Sequence, residues 1–165
     1  MAERSLVDRM KGAALLDAAI YEEVEHDAGA TAQAALVVTL VALANAVGSS
    51  SAGSVGAIGT AVGAILGWFV WAGVTWVVGD KLFGGTASWG ELLRTLGFAQ
   101  SPGVLAALAV IPLLGWLVSV VLLFWVLVAG LIAVRQALDF GTGKAAATVF
   151  VGWLGMALLR LVFRV

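Results

Sequence analysis

Val55-Gly-Ala-Ile-Gly-Thr-Ala-Val-Gly-Ala-Ile-Leu-Gly-Trp-Phe-Val-Trp-Ala-Gly-Val-Thr-Trp-Val-Val78 contains no charged residue from end to end. A helix of about 20 apolar residues crosses the roughly 30 Å hydrocarbon core of a bilayer, so this stretch is read as a membrane span. Its surroundings repeat the pattern. Apolar runs also occupy about 32–47, 101–111, 113–134 and 145–162, with the few charges between them. Over 165 residues the chain is 62% hydrophobic and 12% charged, with a mean hydropathy of +1.06. A soluble domain of this size cannot bury so much apolar surface. The expected fold is all-α, a polytopic membrane bundle of five transmembrane helices behind an amphipathic N-terminal segment.

The intervals between the runs set the expected boundaries. Gly48-Ser-Ser-Ser-Ala-Gly-Ser54 is an uncharged turn, and the second run stops at Gly79-Asp80-Lys81. Ser88 to Leu96 predicts a short amphipathic helix in a polar interval, with Glu91 and Arg94 on one side. The third run, 101–111, is short for a span and is flanked by Pro102 and Pro112. Pro112-Leu-Leu-Gly115 reads as a hairpin between two spans rather than a kink in one long helix, which would give four spans. With the N-terminus inside, Arg4, Arg9, Lys11, Lys81, Arg94, Arg135 and Lys144 all fall inside. Arg160 and Arg164 fall outside, so the positive-inside rule predicts N-in and C-out.

Residues 1–27 are read as a cytoplasmic or interfacial helical segment, and 28–165 as the membrane domain. Leu6, Met10, Ala13, Ile20, Tyr21 and Val24 share a helical face, while Arg4, Asp8, Lys11, Glu22 and His26 lie off it. Asp17 interrupts the apolar face, which predicts an N-cap dividing a helix at about 4–15 from one at 18–26. Asp27 is placed to cap the first span. The first ten residues mix both signs of charge and no apolar run follows directly, so no cleavable signal is expected.

Composition removes several functions. Without cysteine there are no disulfides, thiolate metal sites or thiol nucleophiles, and a single histidine leaves little for imidazole chemistry. A net charge of -1 without a basic cluster argues against nucleic acid. No catalytic set is present, and the spans hold no central charge that would mark an ion path. Glu23 and His26 have the Glu-x-x-His spacing of di-iron bundles, but that site needs ligands this chain lacks. No metal, cofactor or enzymatic activity is expected.

Four residue sets remain. Gly59, Gly63 and Gly67, spaced by four, form a groove for close helix approach, either between chains or within the bundle. Trp68, Trp71, Trp76, Trp89 and Trp116 fall near boundaries and read as interfacial anchors. Asn45, Gln100, Ser101 and Ser119 are the polar residues able to line a passage. Glu22, Glu23, Glu25, His26, Asp80, Lys81, Glu91, Arg94, Arg135, Gln136, Asp139 and Lys144 gather into a cytoplasmic polar cluster. There the acidic stretch is placed to pair with Arg94, Arg135 or Lys144.

The order of features resembles the Yip family, specifically its compact prokaryotic branch. Tyr21-Glu-Glu-Val-Glu-His-Asp27 precedes the spans, and Gly79-Asp-Lys-Leu-Phe-Gly-Gly85 ends the second. Gly97-Phe-Ala-Gln-Ser-Pro102 opens the third, and Arg135-Gln-Ala-Leu-Asp-Phe140 follows the fourth. The resemblance implies five spans and a cytosolic N-terminus. Eukaryotic relatives are associated with Rab-type GTPases through long N-terminal regions that this sequence does not contain, so Rab binding is not carried over.

These features predict a non-enzymatic scaffold or membrane-organising protein acting through helix association. Its partners would be the lipid bilayer and a second copy or another membrane protein. The alternative is a permease or channel-like protein for a small solute. The Cys-free, Ala/Gly/Val-rich composition suits a prokaryotic plasma membrane.

Overall fold

Two short polar side chains start helices that the rest of the molecule is built around. Asp17 accepts a hydrogen bond from the Ala19 backbone N–H and starts a helix over Ala18–His26. Ser88 and Glu91 form a reciprocal capping box at the head of Trp89–Ala99. A computed structural model of the chain describes residues 4–48, 56–111 and 113–163, and these are all-α. The α-helices are α1 (Leu6–Ala14), α2 (Ala18–His26), α3 (Ala30–Gly48), α4 (Gly56–Trp76), α5 (Trp89–Ala99), α6 (Gly115–Ala137) and α7 (Thr142–Phe163). A π-helical turn, Val77–Leu82, continues α4, and a 3₁₀ segment, Ser101–Val110, continues α5.

Four helical stretches among the described residues are long and apolar enough to cross a membrane: Ala30–Gly48, Ala61–Leu82, Trp89–Val110 and Gly115–Ala137. The third corrects the sequence reading. The short run at 101–111 is joined to α5, and the joined segment is 61% buried inside the protein against 22–33% for the others. Leu92, Leu93, Thr95, Leu96, Gly97, Phe98 and Ala99 are all buried, so this short amphipathic helix lies in the core. It packs against α2, α3, α4 and α6, while α3 and α6 also flank the 3₁₀ segment.

Pro112 lies outside the described residues. On either side of it the 3₁₀ segment and α6 are separate elements packed on each other. The Gly48–Ser54 turn is described only at Gly48. Gly79-Asp80-Lys81, expected to stop the second span, instead sits inside the π-helical turn. Gly79 packs the turn closely on Leu138, whose side chain would lie 2.4 Å from a Cβ there.

The N-terminal segment is two helices divided at Asp17, as its sequence predicts. α1 and α2 form a hairpin packed against α5, α6 and the 3₁₀ segment. Its turn follows a Schellman pattern, with Leu16 at φ 64° and Asp17 N–H bonded to Gly12 O. The Trp125 indole donates to Ala14 O at 2.7 Å, which places the hairpin turn beside the middle of α6.

The tryptophans divide. Trp68 is 2% exposed and donates to Leu93 O. Trp76 donates to Ala87 O. Both tie α4 to the segment around α5, a packing role that the anchor reading did not anticipate, and buried indoles take such partners because an unpaired N–H is costly. Trp89 and Trp116 are exposed, as anchors would be.

Candidate functional site

Asn45, Gln100 and Ser119 stand on three separate elements and converge on one cavity of about 520 Å³. Val41, Trp71, Leu122 and Val126 supply apolar wall, and Gly48, Gly103 and Gly130 let the backbone approach. The close approach is physical. A Cβ at Gly103 would lie 2.7 Å from Val41 Cγ1, so the Val41 side chain of α3 packs directly on the 3₁₀ backbone there. An apolar pocket with a few convergent polar groups is the usual form of a small-molecule site.

The three polar groups differ in what they can still offer. Asn45 donates to Val41 O at 2.9 Å, and Ser119 donates to Gly115 O at 2.8 Å. Each thus spends a donor on its own helix, as polar side chains in membrane helices commonly do. The Gln100 side chain makes no hydrogen bond to any described residue and sits where α5 passes into the 3₁₀ segment. Ser101, expected beside it, is instead 2% exposed in the packing, with its hydroxyl unpartnered.

The glycine set lies elsewhere. An added Cβ at Gly63 or Gly67 would meet nothing within 4 Å. Val62, Leu66 and Val70, each one helical turn from the next, are exposed beside them. A ridge of branched side chains thus runs along a groove of glycines on the outer face of α4. Gly59 shares that groove by its spacing of four.

The polar cluster resolves into separate ties. Arg9, 3% exposed, reaches Glu23 at 3.0 Å and Asp27 at 2.7 Å, and Gln33 at 3.0 Å. Burial alone would lower the proton affinity of Arg9, but Asp27 and Glu23 outweigh it and hold the guanidinium charged. Arg9 in turn lowers the Asp27 pKa. Glu23 also pairs with Arg4, so it turns away from the His26 it was spaced to join. Arg94 takes the backbone carbonyls of Val24 and Glu25, capping the C-terminal end of α2 as a cation should. Gln136 donates to Glu22. Lys81 pairs with Asp80 and lies over Trp76. Lys144 donates to Phe83 O, and Asp139 accepts from Thr86. Arg135 reaches Gln136. None of Arg94, Arg135 and Lys144 forms an ion pair with the acidic stretch among the described residues, contrary to the expectation.

Glu25 is the exception in this cluster, being 7% exposed with its Oε2 unpartnered. Burial, reinforced by the charge on Glu22, pushes its pKa up to about 7. The folded state therefore holds this proton more tightly than the unfolded chain. The resulting stability is full below the ordinary carboxylate value of about 4.5 and is lost as pH rises through about 7. Melting in chelator-containing buffer should show Glu25→Gln more stable than wild type at pH 8, by about 2 kcal/mol, with the gap closing by pH 5. Parallel pH profiles for the two proteins would remove this assignment.

A family model described as the Yip1 domain matches residues 18–163. No curated protein and no solved structure matches the chain.

Proposed function

The chain belongs to the Yip1 domain family, and on that premise we propose that it is a non-enzymatic membrane scaffold acting through helix–helix association. One observation carries this reading. Among the described residues the Gly63–Gly67 groove and the Val62–Leu66–Val70 ridge face outward, so packing against those residues does not account for the glycines. A ridge beside a groove is self-complementary, which suits a second copy related by two-fold symmetry. Five spans, a cytosolic N-terminus, an outer C-terminus, the prokaryotic branch and a prokaryotic plasma membrane belong to the same proposal. Binding of a Rab-type GTPase does not.

In native nanodiscs the wild type is expected to run as a defined oligomer. The double substitution Gly63→Leu, Gly67→Leu should convert it to monomer without lowering its melting temperature, since both positions are open. A strictly monomeric wild type would overturn the scaffold reading.

A second reading rests on the cavity. Gln100, Asn45 and Ser119 meeting in one apolar space supports a passage or binding pocket for a small neutral solute. If so, purified protein in liposomes should carry such a solute across the membrane, and Gln100→Leu should lower that flux at least tenfold. Flux equal to empty vesicles over a panel of polyols, amides and amino acids would remove this reading.

A further inference from the structure

Most acidic side chains at the charged end of the bundle are already committed. Glu23 and Asp27 are neutralised by Arg4 and Arg9, Asp80 by Lys81, and Glu91 is held in its capping box. Glu22 and Glu25 have no Lys or Arg partner among the described residues. The ligand-bearing atoms of Glu22, Glu25 and His26 lie within 4.8 Å of one another. The i, i+3, i+4 spacing on α2 places all three on one face.

We propose that Glu22, Glu25 and His26 hold one divalent first-row metal ion, with zinc the best match to two carboxylates and an imidazole. The independent observation is Glu25. It is more than nine-tenths buried, lies within the cluster and has a carboxylate oxygen without a hydrogen-bond partner among the described residues. A buried anionic oxygen left unpaired is costly, and metal coordination is one of the few arrangements that satisfies it. Two carboxylates also balance the charge of a divalent ion. Glu91 and Asp139 add negative potential at Glu25, while Arg94, bound to the carbonyls of α2, is the opposing charge nearby.

The other two ligands are exposed side chains, each held by a hydrogen bond. His26 Nδ1 lies 2.9 Å from Glu22 O, which fixes a tautomer with its proton on Nδ1 and leaves the Nε2 lone pair for a metal. Gln136 Nε2 donates to Glu22 Oε2 at 3.3 Å. Hydrogen bonds of this kind from carbonyls and amides routinely steer metal ligands. Tetrahedral zinc with bonds of about 2.0–2.1 Å needs donor atoms roughly 3.3 Å apart. Rotamer changes in the exposed Glu22 and His26 side chains close that gap, and water completes the shell.

The chain has one histidine and no cysteine, so a single imidazole reports on the site. Tag-free, chelator-treated protein in lipid nanodiscs should be titrated with zinc chloride by calorimetry and by NMR of the imidazole nitrogens. Expected are one ion per chain and a shift of the His26 Nε2 resonance. Glu25→Gln and His26→Gln should each weaken binding at least tenfold, whereas Asp8→Asn should leave it unchanged. Absence of saturable binding, or binding undiminished in the Glu25→Gln, His26→Gln double variant, overturns the site. Should a variant fail to fold, the wild-type imidazole spectrum decides: an unmoved resonance at saturating zinc refutes the proposal.

Discussion

Replacing Arg9 with methionine is expected to release the α1–α2 hairpin from the bundle. The guanidinium is almost wholly enclosed, and its three nitrogens reach three different acceptors: Nε to Glu23, Nη1 to Gln33 and Nη2 to Asp27. These acceptors come from α2, the turn after it and α3, so one side chain ties three segments together. Methionine keeps the apolar stem and removes every donor. Removing one partner of a buried ion pair costs about 3–5 kcal/mol when the other is left dry. Here the side chains of Glu23 and Asp27 are 29% and 34% exposed and regain some water, so about 2–4 kcal/mol is expected. Hydrogen exchange over residues 6–26 should accelerate by more than tenfold while α5 stays protected. Arg4→Met, at a 48% exposed side chain, should change little. Unaltered protection of the hairpin in the Arg9 variant would show that its apolar face alone holds it.

Gly97→Leu is expected to cost still more. Gly97 lies on α5 where that helix meets α3 and α4, and a Cβ there would sit 2.7 Å from Ala34 Cβ and 3.3 Å from both Ala34 Cα and Trp68 Cζ2. The Ala34 backbone cannot turn aside as a flexible side chain would. A leucine must therefore push α3 from α5 or dislodge Trp68 from its bond to Leu93. Overpacking of a tight core costs about 1–3 kcal/mol, and more where backbone must move. Loss of the folded bundle, read as a lowered melting temperature or aggregation on extraction, is the expected result. Gly97→Ala gives the graded form of the test, because Ala34→Gly on the facing helix should restore part of its loss. Two substitutions whose costs simply add would show that the two residues do not press on each other.

Apolar periodicity was sufficient to find the membrane helices, since hydrocarbon imposes long uncharged runs. It failed where charge served the interior. Glu91 and Arg94 gave α5 the look of a surface helix, although Glu91 is spent on a cap and Arg94 on the carbonyls of α2. Reading a charged side chain as a solvated one hid the most buried of the candidate spans among the described residues. Glu23 and His26 matched a metal spacing, yet Arg9 claims Glu23, and the residues gathered with His26 are Glu22 and Glu25. Spacing shows which residues share a face but not which competitor arrives from elsewhere in the chain. The outward aim of Gly63 and Gly67 was likewise illegible, because a four-residue repeat has the same pattern on either side of a helix.

The bond from Trp125 to Ala14 joins residues 111 apart in sequence, and that distance orders events during synthesis. A ribosome delivers Ile20, Tyr21 and Val24 long before α6, one of the helices on which α2 packs, exists. Until residue 125 clears the exit tunnel and the insertion machinery, the hairpin can rest on α5 and the 3₁₀ segment but not on α6. A segment made well before α6 thus completes its packing only once α6 is in place. A translation pause between α5 and α6 would lengthen the interval in which it stays open to proteases.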